Sequence, residues 1–295
     1  MENMRISEPD VQDELHPGSS RQRRPALGRS GFVMSDGTRI HYLQYGEGGR
    51  DVLLLPGLST PAATYEMVSL ALADDFRVVC VDLRGRGLSD RSSSDYTLPT
   101  YAADAKAVID ACGLTRPVVV GHALGGRIVA AFDVLYPGEA GALVIIDPPA
   151  TGPGWPPYST PLESFQRQLA ESRDGITADD VRRHFPDWDE EALELRAQWL
   201  DTCDSHAVEE SYRNFQREDF FGYIANARTP GMFLYGENTH AVPAAALETI
   251  RASNERLEIV QVPRTGHMIP LENLPAFLAE MRRFIGASAA RGLLG

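Results

Sequence analysis

The 295-residue chain has a single lysine, Lys106, only three cysteines and no long apolar run. Each shortage removes a class of protein. Cys80, Cys112 and Cys203 are widely separated, odd in number and without a CxxC pair, so neither a disulfide framework nor a zinc knuckle is expected, and a reducing, cytoplasmic setting fits. Apolar stretches such as Val52–Leu55 and Ala142–Ile146 fall far short of the roughly 18 residues of a spanning helix, so no membrane partner is expected. Positive charge is scarce too: 28 basic against 41 acidic residues give a formal net charge of −13, and that field repels nucleic acid. The run Asp82-Leu83-Arg84-Gly85-Arg86-Gly87-Leu88-Ser89 resembles a phosphate loop at first sight. It lacks the P-loop lysine and the GxGxxG spacing, which leaves a tight loop anchoring the sheet edge.

What the chain does have is a regular core. Its length suits one large domain or a domain with an inserted lid. Residues 1 to 29 carry no periodic apolar pattern and read as a solvated, disordered tail with a short basic patch at Arg21–Pro25. No apolar stretch of the kind an export signal needs follows those arginines. Phe32–Met34 and Arg39–Tyr45 alternate around Asp36-Gly37, a hairpin signal. Val52–Leu55, Arg77–Val81, Pro117–Val120 and Ala142–Ile146 are nearly all apolar, as strands covered on both faces must be. Helical stretches near 62–74, 98–112 and 125–136 separate them, and that alternation is what a parallel sheet requires. It stops at Asp147 and resumes at Gly231–Tyr235, followed by a helix at Pro243–Ala252, a strand at Leu257–Val262 and a helix at Leu274–Ile285. Between lie a Pro/Gly-rich segment and helical patterns near 160–172, 177–184, 189–202 and 206–216, with Thr177 or Asp179 as a cap of the second and Asp187 as a cap of the third. The division expected is a tail at 1–29, a core at 30–147 and 230–295, and a helical lid at 148–229.

The stretch Val118–Gly126, VVVGHALGG, has the strand, turn and helix of a G-x-S-x-G nucleophile elbow. Ala123 stands at the serine position, and a methyl group cannot attack a carbonyl. Upstream, Leu55-Pro56-Gly57-Leu58 ends a strand, and the backbone N–H groups of Leu58 and Leu124 are assigned as an oxyanion hole, which does not depend on the side chain at 123. His267, in Gly266-His267-Met268 after the last strand, is the candidate general base. His41 sits on an outer strand, and His16, His184 and His206 lie in the tail or lid, where surface or packing roles are the simpler reading. In Gly236-Glu237-Asn238-Thr239 the acid of a G-x-x-D pattern is missing, since Thr239 occupies its place. Asp147, ending a neighbouring strand, is favoured over Glu237 as the residue that orients His267. His122, Arg127, Trp155 and Tyr158 are candidate pocket residues, Arg127 as a partner for a substrate carboxylate. No metal or organic cofactor is called for, and the expected partner is a small-molecule substrate.

The series PGL, DLRGRGLSD, GHALGG, IIDPP and GHMIP, in that order across about residues 31–286, resembles the α/β-hydrolase superfamily. The resemblance implies an α/β fold: a mostly parallel sheet with helices on both faces and an inserted helical lid. Asp147-Pro148-Pro149, Gly152-Pro153-Gly154, Pro157–Leu162, Trp199–Cys203 and Gly266–Pro270 are similar to stretches of N-formylmaleamate deformylases of bacterial pyridine-ring catabolism. This implies hydrolysis of a formamide, another amide or an ester of a small carboxylated molecule, with the triad positions falling on Ala123, Asp147 and His267. Three readings of Ala123 stay open: a serine-to-alanine exchange that traps substrate in an otherwise complete hydrolase, a natural His267/Asp147 dyad performing non-covalent acid–base chemistry (elimination, cyclisation or cofactor-free oxygenation), and a non-catalytic binding protein. The first two keep a use for a retained acid and base.

Overall fold

The computed structural model describes residues 23–91 and 95–290. Short, β-branched-rich runs make eight strands: β1 Arg29–Ser35, β2 Thr38–Tyr45, β3 Arg50–Leu55, β4 Phe76–Val81, β5 Val118–His122, β6 Ala142–Ile146, β7 Gly231–Gly236 and β8 Leu257–Val262. They form one sheet in the order β1-β2-β4-β3-β5-β6-β7-β8. β1 and β2 are an antiparallel hairpin in which Ser35 pairs with Thr38. Its two-residue turn has positive φ at Asp36 (44°) and Gly37 (76°), the backbone that a right-twisted hairpin selects. From β4 to β8 all pairs are parallel, so helices must carry the chain back each time.

Alternation along each strand divides the core in two. Leu53, Leu55, Val79, Val81, Val119, Leu143 and Ile145 pack on one face; Val52, Leu54, Val78, Cys80, Val118, Val120 and Val144 pack on the other. Helices α1 (Glu66–Ala73), α2 (Leu98–Cys112) and α3 (Leu124–Leu135) precede β6, and α9 (Ala244–Ser253), α10 (Ile269–Glu272) and α11 (Leu274–Ala290) follow β7. α2, α3 and α9 cover the first face, while α1 and α11 cover the second. Between β6 and β7 come five helices: α4 (Leu162–Asp174), α5 (Ala178–Arg182), α6 (Glu190–Trp199), α7 (Ser205–Arg217) and α8 (Phe220–Asn226). The sequence pattern anticipates the first four and omits α8, a seven-residue helix capped by Asp219. Thr177 caps α5 in a reciprocal pair with Asp180, as the pattern suggests. The cap position of α6 is Asp189 rather than Asp187.

The start of the chain departs from its reading as a solvated tail. Residues 1–22 lie outside the described residues, but Arg23 and Arg24 are docked. Arg23 pairs with Asp201 at 2.7 Å, and Arg24 bonds Glu66 of α1 and Glu191 of α6. The Leu27 N–H donates to the same Glu66 at 2.5 Å. Acidic partners on two other elements, invisible in a local pattern, turn part of the basic patch into a strap. Among the described residues no helix is long and apolar enough to cross a membrane.

Candidate active site

Strand order reverses between β3 and β5, since the chain steps outward from β3 to β4 and then returns to the other side. Such a reversal opens a crevice at the carboxyl ends of the strands. The segments carrying the candidate oxyanion, elbow, acid and base positions end there. Pro56–Leu58 follow β3, Ala123 follows β5, Asp147 follows β6, and the 263–267 loop follows β8.

The turn between β5 and α3 is built as an elbow. Ala123 has φ 52° and ψ −113°, a conformation that costs a residue with a Cβ about 1–3 kcal/mol and persists only when its surroundings impose it. They do so through backbone. The Ala123 N–H donates to Ile146 O at 2.9 Å, and Gly125 N–H donates to Pro56 O at 3.1 Å. A Cβ on Gly125 would fall on the Leu55 carbonyl, and one on Gly121 would fall on the Gly125 carbonyl, so both glycines are required by close approach. The N–H groups of Leu58 and Leu124 take no backbone acceptor among the described residues. Leu124 is the first residue of α3, where an N–H has no partner within the helix. Two free donors therefore flank Ala123 in a form that can hold an oxyanion.

The DLRGRGLSD loop supports this arrangement. Arg84 makes a buried two-pronged pair with Asp104 at 2.6 and 2.7 Å. Arg86, fully buried, uses all five donors: on Leu58 O at 2.9 Å, Arg84 O, Tyr101 Oη, Ala207 O and Ser211 Oγ. It thus ties the Leu58 loop to the core and to α7.

Asp147 is fully buried and collects three donors. His267 Nδ1–H reaches its Oδ2 at 2.7 Å, Thr239 Oγ1–H reaches the same oxygen at 2.5 Å, and Gly236 N–H reaches Oδ1 at 3.2 Å. With Nδ1 held as donor, His267 presents Nε2 as the free base. Thr239, noticed from sequence only as a missing acid, is a donor to the carboxylate that replaces it. Glu237 instead accepts from Arg264 N–H on the surface. His122 lies beneath His267, ring centroids 4.9 Å apart, and its Nε2–H donates to His267 O at 2.8 Å. Burial, with His267 beside it, pushes the His122 pKa down to about 3. It is neutral at working pH, and its buried Nδ1 has no partner.

Gly57, Leu58, His122, Ala123, Tyr158 and His267 all line one cavity of about 350 Å³, the size of a small-molecule site. Two of the four candidate pocket residues lie elsewhere. Arg127 is fully buried behind the elbow and donates to the carbonyls of Pro149, Thr151, Phe215 and Glu218. Its cation clamps α3 to the segment around α7 instead of meeting a ligand; its position one turn along α3 gave no hint of the carbonyls arriving from residues 149–218. Trp155 stacks on Phe221 at 4.2 Å outside the cavity. Trp188 and Trp199 are core residues of the insert. The residue that sequence reasoning missed is Arg196 of α6, 4% exposed and on the cavity wall. Burial pushes its pKa down to about 10. Nothing in its helical sequence, EEALELRAQW, marks it from a surface arginine.

A sequence profile described as the alpha/beta hydrolase family matches residues 52–281. The chain is 32% identical over 258 residues to N-formylmaleamate deformylase of Pseudomonas putida, covering 86% of this chain and 96% of that protein. It is 26% identical over 253 residues to 2-(acetamidomethylene)succinate hydrolase of Mesorhizobium japonicum, covering 80% of this chain and 88% of that protein. Among solved structures, that of the N-formylmaleamic acid deformylase of Pseudomonas putida S16, a serine-to-alanine variant, superposes with a TM-score of 0.80 at 32% identity, covering 85% of this chain and 99% of the other. By profile, by sequence and by fold, the chain belongs to the alpha/beta hydrolase family.

Proposed function

We propose that the cavity at the carboxyl ends of β3, β5 and β6 is an acyl-transfer site for the C–N bond of a small amide or formamide, lacking its nucleophile in this sequence because residue 123 is alanine. The observation that carries the reading is the backbone of Ala123. An alanine held at φ 52° beside two unpaired N–H donors and opposite a His267–Asp147 pair has the surroundings of a nucleophile and no other evident reason to be strained. The names of the two curated relatives, a deformylase and an acetamido hydrolase, support C–N hydrolysis.

With serine at position 123, His267 Nε2 would take the hydroxyl proton as Oγ attacks the acyl carbon, and the N–H groups of Leu58 and Leu124 would hold the oxyanion. Asp147 would keep Nδ1 protonated and stabilise the imidazolium. His267 would then protonate the leaving amine and activate water for deacylation. With alanine there, binding and oxyanion stabilisation remain, which is worth about 10³–10⁴ over water, while about 10⁶ in turnover is lost. The test is hydrolysis of N-formylmaleamate by the Ala123→Ser variant. A gain of roughly 10⁶ is expected; no gain would sink this reading in favour of non-covalent chemistry by His267 and Asp147, or of a binding role.

A further inference from the structure

Among the described residues three arginines, Arg86, Arg127 and Arg196, are fully or almost fully buried without a salt bridge, and they differ in how their donors are used. Arg86 has all five on neutral oxygens. Arg127 has both terminal nitrogens on carbonyls and, like Arg196, a buried Nε without a partner, but neither Arg86 nor Arg127 lines the cavity. Arg196 does touch it. Its Nη1 donates to Ser59 O, and Nη2 reaches Ser59 Oγ and Gln168 Oε1, both at 3.3 Å. One Nη1 hydrogen is left over, and Nε is buried without a partner. Every acceptor it meets is neutral. The one carboxylate on the cavity wall, Glu272, is occupied by the N–H groups of Gly266 and Met268.

A buried cation with no countercharge is costly, and such groups are normally paired. All three lack a countercharge, but only Arg196 lines the candidate active site with a terminal Nη1 hydrogen unused, where a ligand can supply the missing charge. We infer that Arg196 is the specificity residue of this cavity, receiving a free carboxylate on the substrate and so restricting it to N-acyl compounds that carry an anionic group. A planar guanidinium with spare donors suits a carboxylate better than a point charge would. Because the same side chain holds Ser59, next to Leu58, the anion and the oxyanion loop share one anchor. A substrate carboxylate on Arg196 therefore fixes the acyl group relative to the Leu58 N–H.

The inference rests on the proposed amide-hydrolase reading for the identity of the reacting bond, but the anion site can be tested without turnover. Calorimetric titration of the protein as it stands with N-formylmaleamate and with its methyl ester should show the acid binding about 100-fold tighter, since leaving a buried charge unpaired costs that much or more. Arg196→Gln should remove the preference, and Arg196→Lys should keep part of it. In the Ala123→Ser background, Arg196→Gln should raise KM for the acid about 100-fold and leave KM for the ester within a few fold. Equal affinity for acid and ester, no binding of either, or an equal loss for both on Arg196→Gln would overturn the inference and leave Arg196 a support for Ser59. An acid preference that depends on Arg196 without any hydrolysis by Ala123→Ser would keep the anion site and discard the amide-hydrolase reading. Hydrolysis of acid and ester alike would do the reverse.

Discussion

Two histidines among the described residues are each held by a buried aspartate at 2.7 Å: His267 by Asp147 and His41 by Asp82. The second pair has what the first lacks. Ser30 Oγ lies 2.8 Å from His41 Nε2, so a serine of β1, a histidine of β2 and an aspartate just after β4 stand in hydrogen-bonded sequence. The first pair has what the second lacks. His267 is 29% exposed to a cavity with two free N–H donors, whereas His41 is 2% exposed and Asp82 spends its other contacts on the N–H groups of Ala62 and Leu88. A relay of polar groups is therefore not a site by itself. Rate acceleration comes mainly from donors aimed at developing charge in a place that substrate can enter, and of these two pairs it is His267–Asp147 whose histidine lines a cavity.

The comparison can be broken most severely by moving the histidines. In the Ala123→Ser background, His267→Ala is expected to lower kcat for N-formylmaleamate by about 10⁶, while His41→Ala changes it less than tenfold; equal losses would mean that the two pairs are not functionally distinct. Asp147→Asn in the same background should cost about 10⁴ in kcat through the wrong tautomer of His267, with little change in the unfolding midpoint. Asp82→Ala should do the opposite. It leaves His41 and two N–H groups without an acceptor and should reduce stability by about 3–5 kcal/mol in urea titration, with kcat for the remaining folded protein unchanged.

Smaller effects sharpen the contrast. His122 is held neutral with its pKa near 3, against about 6.5 for an unfolded histidine. Below pH 6.5 the unfolded chain gains a proton there that the folded chain refuses, so stability is lost as pH falls from 6.5 towards 3. The expected loss is about 1.5 kcal/mol between pH 6.5 and 5, and this component should vanish in His122→Gln when urea midpoints are compared across that range. Last, Ser30→Ala should cost no more than about 1 kcal/mol and leave the Ala123→Ser activity unchanged, which is checked by assay and melting on one preparation.

Most of the frame was legible in the sequence because its signals are local. An all-apolar run such as Ala142–Ile146 can only be a strand covered on both faces, and the glycines at 121 and 125 announce the close approaches at the elbow. Asp147 was legible for a topological reason, since the strand after the elbow helix must lie beside β5. What escaped depends on contacts across the chain. Arg127 and Arg196 look alike as helix residues, yet carbonyls from residues 149–218 surround one and a cavity faces the other. Arg23 and Arg24 looked solvated because their carboxylates sit on residues 66, 191 and 201, and Thr239 disclosed its role only once β7 brought it beside Asp147.

The strained backbone at residue 123 bears on the history of such proteins. Neighbouring main chain holds that conformation, so the turn does not need the hydroxyl group that it would present. Alanine and serine codons differ by a single first-position base. On the proposed reading, a lineage carrying this scaffold therefore stands one mutational step from a hydroxyl at this turn, and drift at that base can remove or restore it without disturbing the architecture around it.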